Sequence, residues 1–76
     1  MEQLIHFIAG KLVDKPEDVH VNLREEDDSV IVELRVAQED LGKVIGKQGR
    51  TVRAMRTVLA ASVARENKRS RLEILE

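Results

Sequence analysis

The sequence has no cysteine, tryptophan or tyrosine, and Phe7 is its only aromatic residue. The lack of cysteine excludes disulfides, thiolate metal sites and thiol catalysis, and it fits the reducing cytoplasm, where we expect the protein to reside. No apolar run approaches the roughly 20 residues that a membrane-spanning helix needs. The first residues also lack the basic-then-apolar order of a signal peptide.

Residues suited to catalysis or metal binding are equally scarce. His6 and His20 are far apart in the sequence, and no cysteine accompanies them, so we expect no metal site. No Ser-His-Asp arrangement or catalytic pair of carboxylates stands out. The sequence therefore predicts a protein that is not an enzyme and holds no cofactor.

The chain of 76 residues is predicted to form one domain over residues 1–76. A domain of this size buries only about 60–65% of the surface that its unfolded chain exposes, so its stability is small and association would increase it.

The net charge of −1 conceals a strong asymmetry along the chain. Residues 1–41 carry eleven acidic and four basic side chains, whereas residues 42–76 carry nine basic and three acidic ones. A run of charge can be no more than a solvated helix face. Residues 42–57, however, contain five basic side chains and no acid, and they surround a pair of glycines. This favours a basic surface that binds a polyanion.

Hydrophobic periodicity predicts the elements in the order α-β-β-α-α-β. The first is a helix over residues 2–13, with Leu4, Ile5, Phe7, Ile8 and Leu12 on its apolar face. A strand over 19–24, a charged turn over 25–29 and a central strand over 30–36 follow it. The second half has a short helix over 38–45, a long helix over 50–67, a basic connection over 68–70 and a last strand around Leu72 and Ile74. The short turn makes the first two strands antiparallel, and the long connection makes the second and third parallel. We therefore expect an α+β fold with three helices on one face of a three-stranded mixed sheet.

The segment at residues 44–50 reads Val-Ile-Gly-Lys-Gln-Gly-Arg and joins the two predicted helices. Glycines without Cβ atoms at both ends let this loop approach a sugar-phosphate strand closely. The helix that follows begins with unpaired N–H groups, which favour an anion. We interpret the loop as a clamp for a phosphate backbone; the alternative is a tight turn between helices with no ligand.

Residues 41–56 read Leu-Gly-Lys-Val-Ile-Gly-Lys-Gln-Gly-Arg-Thr-Val-Arg-Ala-Met-Arg. This stretch resembles the signature of the K-homology (KH) domain, and the predicted order of elements is similar to the bacterial type II arrangement. A single KH domain that fills the chain, with Gly-Arg-Thr and Met-Arg-Thr after the loop, resembles the KhpA (YlqC) family of small bacterial RNA-binding proteins.

The resemblance implies that the protein binds single-stranded RNA, as an RNA chaperone or a post-transcriptional regulator. It also implies a homodimer, or a heterodimer with a larger KH-containing protein. The alternative is a protein-interaction module for which RNA contact is secondary. The residues themselves do not distinguish RNA from single-stranded DNA.

By resemblance, Gly46 and Gly49 let the backbone approach the phosphates, while Lys47 and Gln48 point outward. The predicted RNA-binding set is Lys43, Val44, Ile45, Gly46, Lys47, Gln48, Gly49, Arg50, Val52 and Arg53. The three apolar members either form the wall of a groove for bases or belong to the core. Arg56 either joins the set or pairs with acids such as Glu39 or Asp40.

The long helix has two apolar faces. Val52, Met55, Leu59 and Val63 share the face that is predicted to enter the core. Ala54, Val58 and Ala61 lie on an adjoining face, which we interpret as a dimer interface. The alternative is that the alanines are there only as good helix formers.

Overall fold

Three helices and three strands follow the predicted order α-β-β-α-α-β in the computed structural model, which describes residues 2–75. The elements are α1 (Glu2–Leu12), β1 (His20–Glu26), β2 (Ser29–Arg35), α2 (Leu41–Ile45), α3 (Arg50–Val63) and β3 (Arg69–Leu75). Single 3₁₀ turns lie at Pro16–Asp18, Gln38–Asp40, Lys47–Gly49 and Ala64–Glu66.

The sheet has the strand order β1-β2-β3, with β2 in the centre. Strands β1 and β2 pair antiparallel from His20 opposite Arg35 to Glu26 opposite Ser29. Strands β2 and β3 pair parallel from Ser29 beside Arg69, and α2 and α3 lie in the connection between them. The predicted mixed sheet is therefore confirmed.

The core lies between the helices and one face of the sheet. Alternate residues of β2 point into it, because successive side chains of a strand face opposite sides. The buried residues that form it are Ile5, Ala9, Val19, Val30, Val32, Leu34, Val36, Val44, Val52, Met55, Leu59, Val63 and Leu72. On the other face, Ile31 is also buried, and its neighbours in register are Arg24 and Arg71. Their long aliphatic stems can cover it while the charges stay in water.

Three predicted boundaries were wrong. Strand β1 continues to Glu26, so the charged turn contracts to two residues, because backbone pairing in a hairpin tolerates acids whose side chains remain exposed. Strand β3 begins at Arg69, within the predicted connection, since Ser29 of β2 offers it a partner. Helix α3 ends at Val63 and is followed by a 3₁₀ turn, after which Asn67 takes the left-handed conformation that terminates helices.

Phe7 was predicted to lie on the apolar face of α1, but the structure places it on the exposed side of the helix. Its buried residues are Ile5 and Ala9, whereas Phe7 is 62% exposed. Two residues along a helix correspond to a rotation of about 200°, so a helix that packs Ile5 onto the sheet turns Phe7 outward. The ammonium group of Lys11 lies 5.4 Å from the centre of the Phe7 ring.

Within residues 2–75, no helix is long and apolar enough to cross a membrane.

Candidate nucleic-acid interface

The glycine loop connects α2 to α3 through two backbone positions with positive φ. Gly46 has φ of +80° and Gly49 has φ of +73°, a region that side chains with a Cβ atom avoid. Between them, Gln48 also adopts a left-handed conformation, with φ of +57°. Such a conformation is uncommon for a residue other than glycine, so the surrounding loop must hold it in place.

The loop leaves backbone donors unused. The N–H of Gly46 donates to the carbonyl oxygen of Gly42 at 2.9 Å, and that of Gly49 to Gly46 at 3.0 Å. The bond from Gly49 is the first of the 3₁₀ turn, so the N–H groups of Lys47 and Gln48, which precede it, remain free of the bonds within the turn. Both side chains are exposed, as predicted. Successive free N–H groups in a tight turn form a site that suits an anion.

Exposed basic side chains surround these donors. Lys47 lies within the loop, and Arg50 and Arg53 lie on the first turn of α3. The Arg50 guanidinium lies 3.5 Å from the Gln48 side-chain oxygen, and so it is beside the loop. Residues three apart on a helix are surface neighbours, so the two arginines extend the basic surface along α3.

Arg56 pairs with neither of the two acids considered for it. Its guanidinium instead donates to the carbonyl oxygen of Leu72 in β3 at 3.3 Å. Glu39 pairs with Lys15, and Asp40 with the Lys15 backbone and with Lys43.

Lys43 was predicted to bind RNA, but the structure places it beside two carboxylates of the protein. Its ammonium group bonds the carboxylate of Asp14 and lies 3.5 Å from that of Asp40. The hydrogen bond that Lys43 donates to the Asp14 carboxylate raises the pKa of Lys43, and the Asp40 carboxylate adds to that effect. The sequence did not reveal this pairing, because Asp14 lies 29 residues earlier. The positive charge of Lys43 is thus already balanced by carboxylates within the protein.

The three apolar residues of the predicted site separate into surface and core. Val44 is fully buried, so its inclusion in the RNA-binding surface was wrong: it fills the core beneath α2. Val52 is only 7% exposed and is also part of the core. Ile45 is 40% exposed and presents an apolar side chain next to the loop.

A groove between α3 and β3 was not found from the sequence. Its lining residues are Arg56, Ala60, Ser70, Arg71, Leu72, Glu73 and Ile74. Because α3 and β3 are joined by a short turn and Arg56 bonds Leu72, the end of β3 lies beside the start of α3, towards the loop. Strand β3 is an edge strand, which presents unpaired main-chain groups. The predicted parallel crossover, which pairs β3 with the central strand β2 and leaves β3 at the edge of the sheet, is the signal from which the groove could have been found.

The three residues of the predicted dimer interface, Ala54, Val58 and Ala61, are all exposed on α3. They lie on the side of the helix away from its buried residues, with Val58 39% exposed. The structure therefore brings them together in one stripe, which we call the α3 outer stripe.

Comparison with known proteins gives consistent matches. The sequence model of the family described as "KhpA/KhpB, KH domain" matches residues 2–74. A protein named RNA-binding protein KhpA from Clostridium perfringens is 55% identical over 75 residues, which cover 99% of this chain and 100% of the relative. Proteins of the same name from Borreliella burgdorferi and Chlamydia trachomatis are 51% and 45% identical, over 97% and 100% of this chain and 90% and 97% of the relatives. No solved structure shows a significant match.

Proposed function

We propose that the chain, which belongs to the KhpA/KhpB KH-domain family, binds single-stranded RNA. The RNA contacts the glycine loop and the basic start of α3. Its relatives carry the name RNA-binding protein KhpA, which supports this assignment. The observation that carries it is the pair of free N–H groups at Lys47 and Gln48, held between two glycines with positive φ.

The phosphates are bound mainly by the backbone of the loop. Because Gly46 and Gly49 lack side chains, a sugar-phosphate strand can approach the two free N–H groups. Lys47 adds a positive charge at the same place, and Arg50 and Arg53 bind the neighbouring phosphates. KH loops hold about four nucleotides in this way.

The bases lie along the groove between α3 and β3. Ile45 contacts them beside the loop, and the unpaired edge of β3 supplies main-chain donors and acceptors for their polar edges. The only aromatic residue, Phe7, lies on α1 and is not part of the groove lining. Without a stacking platform, the affinity is modest and the base preference weak.

A site for four nucleotides binds weakly, so the protein acts as a dimer. Two copies of this chain, or one copy and a larger KH-containing protein, would join two sites and raise the effective concentration of the second. The α3 outer stripe favours this arrangement. It also supports the second candidate function, a module that chiefly recruits another KH protein. In the first role the protein acts as an RNA chaperone or a post-transcriptional regulator.

The decisive experiment is a fluorescence-anisotropy titration of labelled single-stranded RNA. Replacing both Lys47→Asp and Gln48→Asp puts two negative charges beside the phosphates without touching the core, because both side chains are exposed. We expect this double variant to remain folded by circular dichroism and to lose RNA binding. Unchanged affinity would contradict the clamp. The same titration with DNA of equal sequence measures the preference for RNA.

The two candidate functions give different results in cells. Crosslinking to RNA followed by sequencing recovers bound transcripts if RNA is the main ligand. If recruitment of another KH protein is the main role, the double loop variant retains its biological activity although it no longer binds RNA.

A further inference from the structure

A cluster of five charged side chains ties the end of α1 to the start of α2. Its members are Asp14, Lys15, Glu39, Asp40 and Lys43, and we call it the α1–α2 ion cluster. At its centre is Asp40, which is 1% exposed and is the only buried charged side chain within residues 2–75. A charge in such a place needs specific partners, because its removal from water is costly.

Asp40 has those partners on both sides. One carboxylate oxygen accepts the backbone N–H of Lys15 at 3.0 Å, and the other lies 3.5 Å from the Lys43 ammonium. Lys43 in turn bonds the Asp14 carboxylate, and the Lys15 ammonium bonds Glu39 at 2.8 Å. The segment after α1 is therefore fixed to the turn before α2, and to α2 itself.

Helix α2 depends on such external contacts. It has only five residues, which is far too few for a helix to be stable alone, and no side chain caps its N-terminus. The glycine loop begins directly at its other end, where the N–H of Gly46 bonds the carbonyl oxygen of Gly42. Lys43 lies three residues before Gly46, less than one turn away. A shift of α2 would thus move the loop and its free N–H groups.

We propose that Lys43 and Asp40 are positioning residues of the RNA site, which hold α2 and the loop in place, and that Lys43 does not contact phosphate. The cluster contains three carboxylates and two ammonium groups, so Lys43 adds little positive potential towards a polyanion. This inference rests on the proposed function, because it concerns the same site.

The first test needs no RNA. In Lys43→Gln, which removes the charge but keeps most of the side chain, we expect NMR shifts at the amides of Lys47, Gln48 and Gly49 and faster hydrogen exchange at Gly46. Asp14→Asn removes one ion pair at an exposed carboxylate, so it should preserve the fold and shift the same amides less. The control Lys47→Gln, at an exposed side chain, should leave the exchange at Gly46 unchanged.

The second test separates positioning from direct contact through the salt dependence of RNA binding. Lys43→Gln should weaken binding roughly 2- to 30-fold, the range of indirect couplings, with the slope of log K against log salt unchanged. Lys47→Gln should reduce that slope by about 0.7, the value for one phosphate contact on a single strand. Lys43→Arg keeps the ion pairs and should restore both the loop amides and the affinity.

Two results would overturn the inference. A slope that falls in Lys43→Gln as it does in Lys47→Gln makes Lys43 a phosphate ligand. Unchanged loop amides in Lys43→Gln and Asp14→Asn show that the cluster does not position the loop. Failure of the wild-type protein to bind RNA contradicts the proposed function, and the RNA-free measurements then decide the positioning role by themselves.

Discussion

Gly46 and Thr51 are packed so closely that no side chain fits between them. A Cβ atom placed on Gly46 would lie 2.7 Å from the Cβ atom of Thr51 and 2.8 Å from its backbone nitrogen. Gly49 shares the positive φ of Gly46, yet a Cβ atom there would meet no atom within 4 Å. The two glycines of the loop are therefore needed for different reasons: Gly46 for space and backbone conformation, Gly49 for conformation alone.

This difference predicts unequal costs of substitution. Gly49→Ala should lower the free energy of unfolding by about 1–2 kcal/mol, the strain of a left-handed residue with a side chain. Gly46→Ala should cost about 1–3 kcal/mol more, because overpacking against the α3 backbone adds to the strain. Urea unfolding followed by circular dichroism measures both values.

The control for these variants is Gly10→Ala within α1, where a Cβ atom meets nothing within 4 Å and no unusual backbone angle is present. It should stabilise the protein slightly, by about 0.5–1 kcal/mol, as expected for alanine in a helix. Equal costs for Gly46→Ala and Gly49→Ala would contradict the packing role of Thr51.

The salt dependence of RNA binding tests how many phosphates the protein neutralises. If Lys47, Arg50, Arg53 and the loop contact three to four phosphates, the slope of log K against log salt should be roughly −2 to −3. Affinity should then fall roughly 20- to 50-fold between 50 and 200 mM salt. A slope near zero, measured by anisotropy, would show that the basic surface lies outside the interface.

Acidification should destabilise the protein through Asp40. Burial alone would raise the pKa of its carboxyl, but the backbone N–H groups of Lys15 and Asp14 and the Lys43 ammonium outweigh it, and the pKa is lowered. In the unfolded chain the carboxyl titrates near its ordinary value of about 3.9. The unfolded state therefore takes up the proton first. The stabilisation is complete above about pH 5 and is lost as the pH falls through the lowered pKa.

The measurement is the urea midpoint between pH 7 and pH 2 for the wild-type protein and for Asp40→Asn. The variant should be less stable at pH 7, because its amide replaces an ionised partner of Lys43, and its midpoint should fall less on acidification. Glu39, whose pKa the bond from Lys15 lowers, is exposed and should contribute less. Parallel curves for the two proteins would rule out Asp40 as the source of the acid sensitivity.

The sequence predicted the features that depend on local pattern. Alternation in β2, the helical spacing of the buried residues in α3 and the glycine loop are all visible over a few residues. Contacts across the fold were not visible: Asp14, which accepts from Lys43, and Leu72, which accepts from Arg56, lie 29 and 16 residues away from these donors. The exposure of Phe7 was missed for a related reason, since periodicity shows that a helix has an apolar side but not how much of that side its neighbours cover.

The α3 outer stripe predicts that the protein associates. Val58 is a poorer helix former than alanine, so its presence at a 39% exposed position is explained best by burial against a partner. Ala54 and Ala61 beside it would let two helices approach closely, and two-fold pairing of identical surfaces is the commonest symmetry. We expect a dimer at tens of micromolar, and a folded monomer in Val58→Asp, by sedimentation equilibrium.

The effect of Val58→Asp on RNA binding should depend on ligand length. The glycine loop lies before α3, and the groove lines another side of the helix from Val58. Affinity for a four-nucleotide RNA should therefore change little. A longer RNA that spans both sites of a dimer should bind more weakly, because the second contact is no longer intramolecular. Ala64→Asp adds the same charge just beyond α3 and controls for repulsion of RNA. A wild-type protein that sediments as a monomer at tens of micromolar would show that the stripe is not a dimer interface.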